Sequence, residues 1–240
     1  MSVLVLSGTG TGVGKTVVAA AVAALALAAR RRVAVLKPVQ TGVGPDDPGD
    51  VDEVVRLAGD LTGLELARFA DPLAPATAAR LAGRPAVRPA DIAAAAVELN
   101  RTHGLVIIEG AGGLLVRFDD EGGTLADVAW ALGAPVLVAA EAGLGTLNAT
   151  ALTTEALRRR GIGCAGVVVG SWPAEPDLAA RHNLEDLPAV AEAPLAGVLP
   201  AGAAALDRAE FLATARRSLA PGLGGEFDAE DFAIGQLRAG

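Results

Sequence analysis

Six short apolar runs punctuate the chain: Val3–Leu6, Val33–Leu36, Leu105–Ile108, Pro135–Ala140, Cys164–Val169 and Leu195–Leu199. They are continuous rather than alternating, as expected of strands covered on both faces. Between them lie Ala/Leu-rich stretches long enough for helices, at Lys15–Ala29, Val51–Ala58, Ala90–Asn100, Leu125–Leu132, Thr146–Arg159 and Asp207–Ala215. Strands that alternate with helices imply right-handed crossovers. The expected fold is therefore α/β, a single domain built on a mainly parallel sheet with helices on both faces. Residues 60–88 hold Pro72, Pro75 and Pro85 and read as short helices joined by turns. No linker divides residues 1–220, and the tail at 221–240 mixes glycine, acids and a few apolar residues without clear periodicity, so it is expected to be loosely held.

Composition narrows the function. The 240 residues are 52% hydrophobic, enough for a sizeable core. A net charge of −8 leaves no basic stripe for a nucleic acid or an anionic membrane. The longest apolar stretch, Val17 to Ala29, is too short for a membrane span, and the arginines follow it rather than lead it, which argues against a secretory signal. The single cysteine, Cys164, lies in an apolar run and reads as a core residue of a protein in a reducing, cytoplasmic setting.

The first strand runs into Gly8-Thr9-Gly10-Thr11-Gly12-Val13-Gly14-Lys15-Thr16, after which a helix begins. This is a phosphate-binding loop one residue longer than the common form. Its backbone N–H groups curl around a polyphosphate, Lys15 neutralises the β/γ oxygens, and the Thr16 hydroxyl is a candidate Mg²⁺ ligand. Gly12, Val13, Gly14, Lys15, Thr16 and Val17 are the candidate nucleotide contacts of this segment.

Lysine usage is a second handle, because of 20 basic residues only Lys15 and Lys37 are lysines. Lys37 ends the second apolar run, at the strand edge where ligands bind in open α/β sheets. A lysine there serves as a point charge on a phosphoryl or other anionic group. The following Gly/Pro-rich loop leads to Asp50. With Glu53 this residue fits a capping box, and it fits equally a Mg²⁺ ligand, roles that are compatible. The third apolar run ends in Glu109-Gly110-Ala111-Gly112-Gly113, an acid where phosphate-loop NTPases hold or orient Mg²⁺.

Farther along, Ala140–Asn148 is another glycine-rich strand-to-helix turn, able to bind a carboxylate or simply to cap a helix. The strand ends Gly170-Ser171-Trp172 and Pro200-Ala201-Gly202 are candidates for walling a nucleotide base. Trp172 either stacks on that base or is a partly buried structural residue. His103 and His182 read as surface residues without ligand spacing.

Taken together, Gly8–Thr16, Lys37-Pro38-Val39-Gln40-Thr41-Gly42 and Glu109–Gly113 closely resemble the dethiobiotin synthetases, in order and spacing, from residue 3 to about 170. The resemblance implies a P-loop NTPase-like fold, and a ligase that uses ATP and Mg²⁺ to carboxylate 7,8-diaminopelargonic acid with CO₂. It implies further that Lys37 is catalytic together with Lys15, that Thr41 contacts the diamine or its carbamate, and that Asp50 and Glu109 complete the metal site with Thr16. It also implies a homodimer, with Leu147 and Asn148 binding the substrate tail across the interface. One departure stands out: many members carry an asparagine that reads the adenine where this chain has Gly170-Ser171-Trp172, so other triphosphates are expected to serve as well. Rival readings are a partitioning-type switch ATPase, a glutamine-dependent amide synthetase and a non-catalytic nucleotide-binding subunit. The first usually has an extra lysine before Lys15, absent here, and the second needs a nucleophilic cysteine for which Cys164 is a poor candidate.

Overall fold

The computed structural model describes residues 3–238. Among these, seven strands form one sheet in the order β3-β2-β4-β1-β5-β6-β7, and every neighbouring pair is parallel. The strands are β1 (Val3–Gly8), β2 (Val33–Thr41), β3 (Thr62–Phe69), β4 (Leu105–Gly113), β5 (Val136–Ala140), β6 (Cys164–Trp172) and β7 (Leu195–Pro200). The helices are α1 (Lys15–Ala28), α2 (Asp50–Ala58), α3 (Pro75–Leu81), α4 (Pro89–Asn100), α5 (Leu125–Leu132), α6 (Thr146–Arg159), α7 (Leu178–Ala191), α8 (Arg208–Ser218) and α9 (Ala229–Arg238).

Successive strand side chains enter different cores. Val3 and Val5 join one with Ile92 of α4, Val128 of α5, Leu157 of α6 and Leu187 of α7. Leu4 and Leu6 join the other, with α1, Val54 and Leu57 of α2 and Phe211 of α8. Both faces of the sheet are therefore covered, which is why the inner strands read as unbroken apolar runs. Helix α1 is buried from Val18 to Ala26, and its alanines let it lie close to the sheet while α2 and α8 pack against it.

Three segments differ from expectation. Residues 60–88 contain a strand as well as a helix. β3 is an edge strand, exposed or half-buried over most of its length, and Glu65 and Arg68 interrupt its apolar positions. Helix α7 carries few large apolar residues and encloses Pro188, and its start is marked by Asp177, whose carboxylate accepts from the Ala180 N–H at 2.7 Å. Residues 221–238, expected to be loosely held, form a 3₁₀ turn at Pro221–Leu223 and then α9. Phe227 is buried, and the Phe232 ring meets the Trp172 indole edge-on at 5.6 Å. The last two residues lie outside the described range. Cys164 is half-buried in β6, and burial pushes its thiol above the usual pKa, in keeping with an unreactive structural position.

Candidate active site

The C-terminal ends of β1, β2 and β4 surround a cavity of about 570 Å³. Of the anticipated residues, Gly12, Gly14, Lys15, Thr16, Val17, Lys37, Thr41, Asp50, Glu109, Ala111 and Gly112 all line it. Val13 is buried beneath the loop, and Gly110 turns its carbonyl toward the Lys37 ammonium at 3.3 Å.

The phosphate loop requires glycine in two ways. Gly12 and Gly14 adopt φ of 79° and 87°, the left-handed region. Gly14 also lies directly against Gly170 at the end of β6, where a Cβ on Gly14 would come 2.6 Å from the Gly170 carbonyl oxygen. Gly170 thus supports the loop from below. Lys15 Nζ folds back over the loop and donates to the Gly10 carbonyl at 2.8 Å. Its pKa is lowered, first by burial and then by Lys37, with Glu109 and Asp50 opposing.

Lys37 is placed by strand register. β2 and β4 pair as far as Leu36↔Ile108, and Pro38, which has no N–H, follows. Lys37 and Glu109 come just past that rung, with Lys37 Nζ donating to Glu109 Oε1 at 2.9 Å and also contacting the Asp50 carboxylate. Burial alone would lower the Lys37 pKa, but the charges and hydrogen bonds of Glu109 and Asp50 outweigh it and hold the ammonium above its usual value. Burial raises the Glu109 carboxyl and the nearby Asp50 adds to this; Lys37 and the Thr16 hydroxyl oppose without cancelling it. Thr16 Oγ1 donates to the same Glu109 oxygen at 3.0 Å.

The capping role foreseen for Asp50 falls elsewhere. The α2 cap is Gly49, whose N–H donates to Asp52 at 2.7 Å, while Glu53 pairs with Arg56 instead. Asp50 is thereby released to face the cavity, its N–H held by Gln40 Oε1 at 2.9 Å. The donor set of Thr16, Asp50 and Glu109 is all hard oxygen, with two carboxylates beside the Lys15 and Lys37 ammoniums. This suits Mg²⁺, which takes one or two carboxylates beside phosphate oxygens. No cluster of three or more His, Cys, Asp or Glu side chains able to hold a metal exists among the described residues.

The remaining candidates stand apart from this cavity. Ser171, Pro200, Ala201 and Gly202 are exposed at neighbouring strand ends, joined by the Ala201 N–H donating to the Trp172 carbonyl at 2.7 Å. Trp172 is buried and turned to Phe232, which decides for its structural role. Leu147 and Asn148 begin α6 outside the cavity. The turn before them is held by Asn183 of α7, whose amide donates to the carbonyls of Ala142 at 2.7 Å and Gly143 at 3.0 Å. His182 is exposed, and His103 bonds Thr62 and Leu99 at the far end of the sheet.

Sequence reasoning missed several lining residues: Gln40, Val39, Val116 and the Pro72–Pro75 segment. Gln40 lies within the Lys37–Gly42 segment that ends β2. The two prolines marked the turn after a strand whose presence had gone unread.

A family model described as AAA domain matches residues 2–206. The ATP-dependent dethiobiotin synthetase BioD of Saccharopolyspora erythraea is 69% identical over 227 residues, covering 95% of this chain and 99% of that protein. That of Streptomyces avermitilis is 66% identical over 233 residues, covering 97% and 98%. The chain belongs to the dethiobiotin synthetase family. Among solved structures, the cell division ATPase MinD of Pyrococcus furiosus aligns at a TM-score of 0.57 with 18% identity, over 99% of this chain and 100% of that one. Chloroplast FtsY from Physcomitrella patens aligns at 0.53 with 18% identity, over 98% and 65%. Both likenesses are of fold alone. The two proteins share the parallel α/β architecture of this dethiobiotin synthetase family member. No helix among the described residues is long and apolar enough to cross a membrane.

Proposed function

We propose that the protein is a cytoplasmic ATP-dependent dethiobiotin synthetase: with Mg²⁺ it carboxylates 7,8-diaminopelargonic acid with CO₂ and closes the ureido ring of dethiobiotin, releasing ADP and phosphate. The observation that carries this reading is the buried Lys37 ammonium, held by Glu109 and Asp50 in the cavity that the phosphate loop opens into. A phosphate loop alone would serve any NTPase. A second ammonium fixed beside it suits a reaction in which a carbamate oxygen must approach the γ-phosphorus while both carry negative charge.

In this reading one amine of the substrate takes up CO₂ as a carbamate beside Lys37 and Thr41. The carbamate oxygen then attacks the γ-phosphorus in line, with Lys15 and the loop N–H groups on the phosphate oxygens. Lys37 stabilises charge on the carbamate and phosphoryl oxygens. The second amine attacks the resulting carbamic–phosphoric anhydride and expels phosphate. Thr16, Asp50 and Glu109 would hold Mg²⁺, which supplies charge neutralisation when bound.

A homodimer is part of the proposal. Leu147 and Asn148 do not line their own chain's cavity, while Leu144 and Leu152 beside them are 85% and 59% exposed. A partner's α6 N-terminus covering the cavity mouth would bring such residues to the substrate carboxylate.

The test is phosphate release with MgATP and bicarbonate, with and without 7,8-diaminopelargonic acid, beside a Lys37→Ala control. Release that depends on the diamine and disappears in the control is expected. Release indifferent to the diamine would mean a switch ATPase, and none at all a nucleotide-binding subunit.

A further inference from the structure

Asp50 is the first residue of α2, and much of what holds that end in place comes from β3, which does not line the cavity. Arg68 of β3 grips the Glu65 carboxylate with two prongs, Nε at 2.9 Å and Nη2 at 2.8 Å. Its remaining terminal nitrogen, Nη1, donates to the carbonyls of Gly44, at 3.1 Å, and Asp47. One guanidinium thus ties the β3 edge to the loop that joins Thr41 to α2. Nη2 also lies 3.8 Å from Asp52, the side chain that caps α2 through the Gly49 N–H.

Gly49 shows how tightly this assembly closes. Its backbone, at φ −103° and ψ −170°, is open to any residue, yet a Cβ there would lie 2.8 Å from Arg68 Nη2, 2.9 Å from Glu65 Oε1 and 3.0 Å from Gln40 Oε1. Those are the two halves of the β3 clamp and the group that holds the Asp50 N–H. Register adds a further link, since Glu65 is the β3 partner of Lys37 itself.

We infer that Arg68, anchored by Glu65, is a positioning residue that sets Asp50 against Lys37 and so shapes the metal side of the nucleotide site. The inference rests on the reading of Asp50 as a Mg²⁺ ligand. Lysine cannot replace the arginine, because the role needs a planar fork that engages a carboxylate and two carbonyls at once.

The test compares Arg68→Ala, Arg68→Lys and Gly49→Ala with the parent protein at a temperature where circular dichroism shows all four folded. Two properties are measured: ATP affinity with Mg²⁺ and with EDTA, and amide hydrogen exchange of residues 43–50 without ligand. Metal-free affinity should stay unchanged, because Lys15 and the phosphate loop are untouched. The gain in affinity from Mg²⁺ should shrink by about ten- to a hundredfold, as loss of a group that orients a metal ligand does. Exchange at residues 43–50 should quicken in parallel. Gly49→Ala should reproduce both effects with Arg68 intact, and Arg68→Lys should recover only part of the loss. A Mg²⁺-dependent gain equal to the parent's in Arg68→Ala overturns the inference, whether or not exchange quickens, because the clamp would then merely support the loop. A parent protein that shows the metal-dependent gain but no diamine-dependent phosphate release would sink the synthetase reading and leave the clamp standing.

Discussion

Lys37 and Glu109 meet one step beyond the last paired rung of β2 and β4, joined at 2.9 Å, and the Glu109 side chain is only 1% exposed. Strand register, not loop conformation, makes the pair. A buried ion pair adds little net stability, but loss of one partner leaves the other charge stranded. Lys37→Ala should therefore destabilise the protein by about 3–5 kcal/mol near pH 8 as well as abolish turnover. Glu109→Gln in the same chain should restore much of the stability and none of the activity. The pH dependence has a definite sign. Glu109 already sits above the ordinary carboxylate value of 4.5, and without Lys37 it rises further. A carboxyl raised on folding loses stability as pH climbs from its unfolded value through its folded one. The cost of Lys37→Ala should thus be larger at about pH 8 than at about pH 5.5, as urea unfolding at the two pH values would reveal. Equal costs would mean that Glu109 does not carry the stranded charge.

Lys15 makes a separate prediction, about protons rather than stability. In the ligand-free chain its pKa is lowered from 10.5, mainly by burial and next by Lys37. A triphosphate laid on the loop adds several negative charges beside the ammonium and must raise that pKa. Binding should therefore draw a proton from solution, and more at about pH 9.5 than at about pH 7.5, because a lowered ammonium is more often deprotonated the closer pH comes to its ordinary value. Calorimetry in two buffers of different ionisation enthalpy measures this directly. Binding heats that track buffer enthalpy equally at both pH values would exclude Lys15 as the source.

Gly170 bears on the phosphate loop through packing, whatever else it contacts. A Cβ there would lie 2.1 Å from the Val13 carbonyl oxygen, so Gly170→Ala must push β6 and the phosphate loop apart. The expected cost is about 1–3 kcal/mol in stability, typical of overpacking, together with a weaker affinity for ATP whether or not Mg²⁺ is present. This metal-independent loss is what separates it from a disturbance at Asp50. An alanine variant that binds ATP as the parent does would show that the loop has room to give.

Legibility followed burial. Strands covered on both faces announced themselves as unbroken apolar runs, and the chemistry at their C-terminal ends, Lys15, Lys37 and Glu109, was readable because motif and strand end coincide. Asp50 was found too, but its capping role went to Gly49 and Asp52, since an extended glycine can cap without a side chain and Glu53 had a nearer partner in Arg56. β3 escaped notice because an edge strand carries charges on its exposed positions, and with it went the Glu65–Arg68 clamp. The tail went unread as well. Phe227 and Phe232 secure it to Trp172 through aromatic contacts, and three isolated aromatics far apart in sequence have no period to detect.

If the β6 and β7 ends wall the nucleotide base, as the proposed function requires, their side chains have consequences for selectivity. Trp172 is buried and packed edge-on against Phe232 at 5.6 Å. What remains at the strand end is the exposed Ser171, with the backbone of Pro200, Ala201 and Gly202 on the neighbouring strand. A hydroxyl rotates to donate or accept and so cannot tell an amino group from a carbonyl, whereas an amide presents one donor group and one acceptor in a fixed arrangement. ATP, CTP and GTP should accordingly support turnover with kcat/KM values within about tenfold of one another, about 1.4 kcal/mol. Ser171→Asn should restore discrimination, with ATP gaining over GTP, whose base edge has the opposite donor and acceptor pattern at the corresponding positions. Parallel kcat/KM measurements for the three triphosphates on both proteins test this. A strong ATP preference in the parent would mean that backbone groups of the 200–202 turn read the base, and the serine would then be irrelevant to selection.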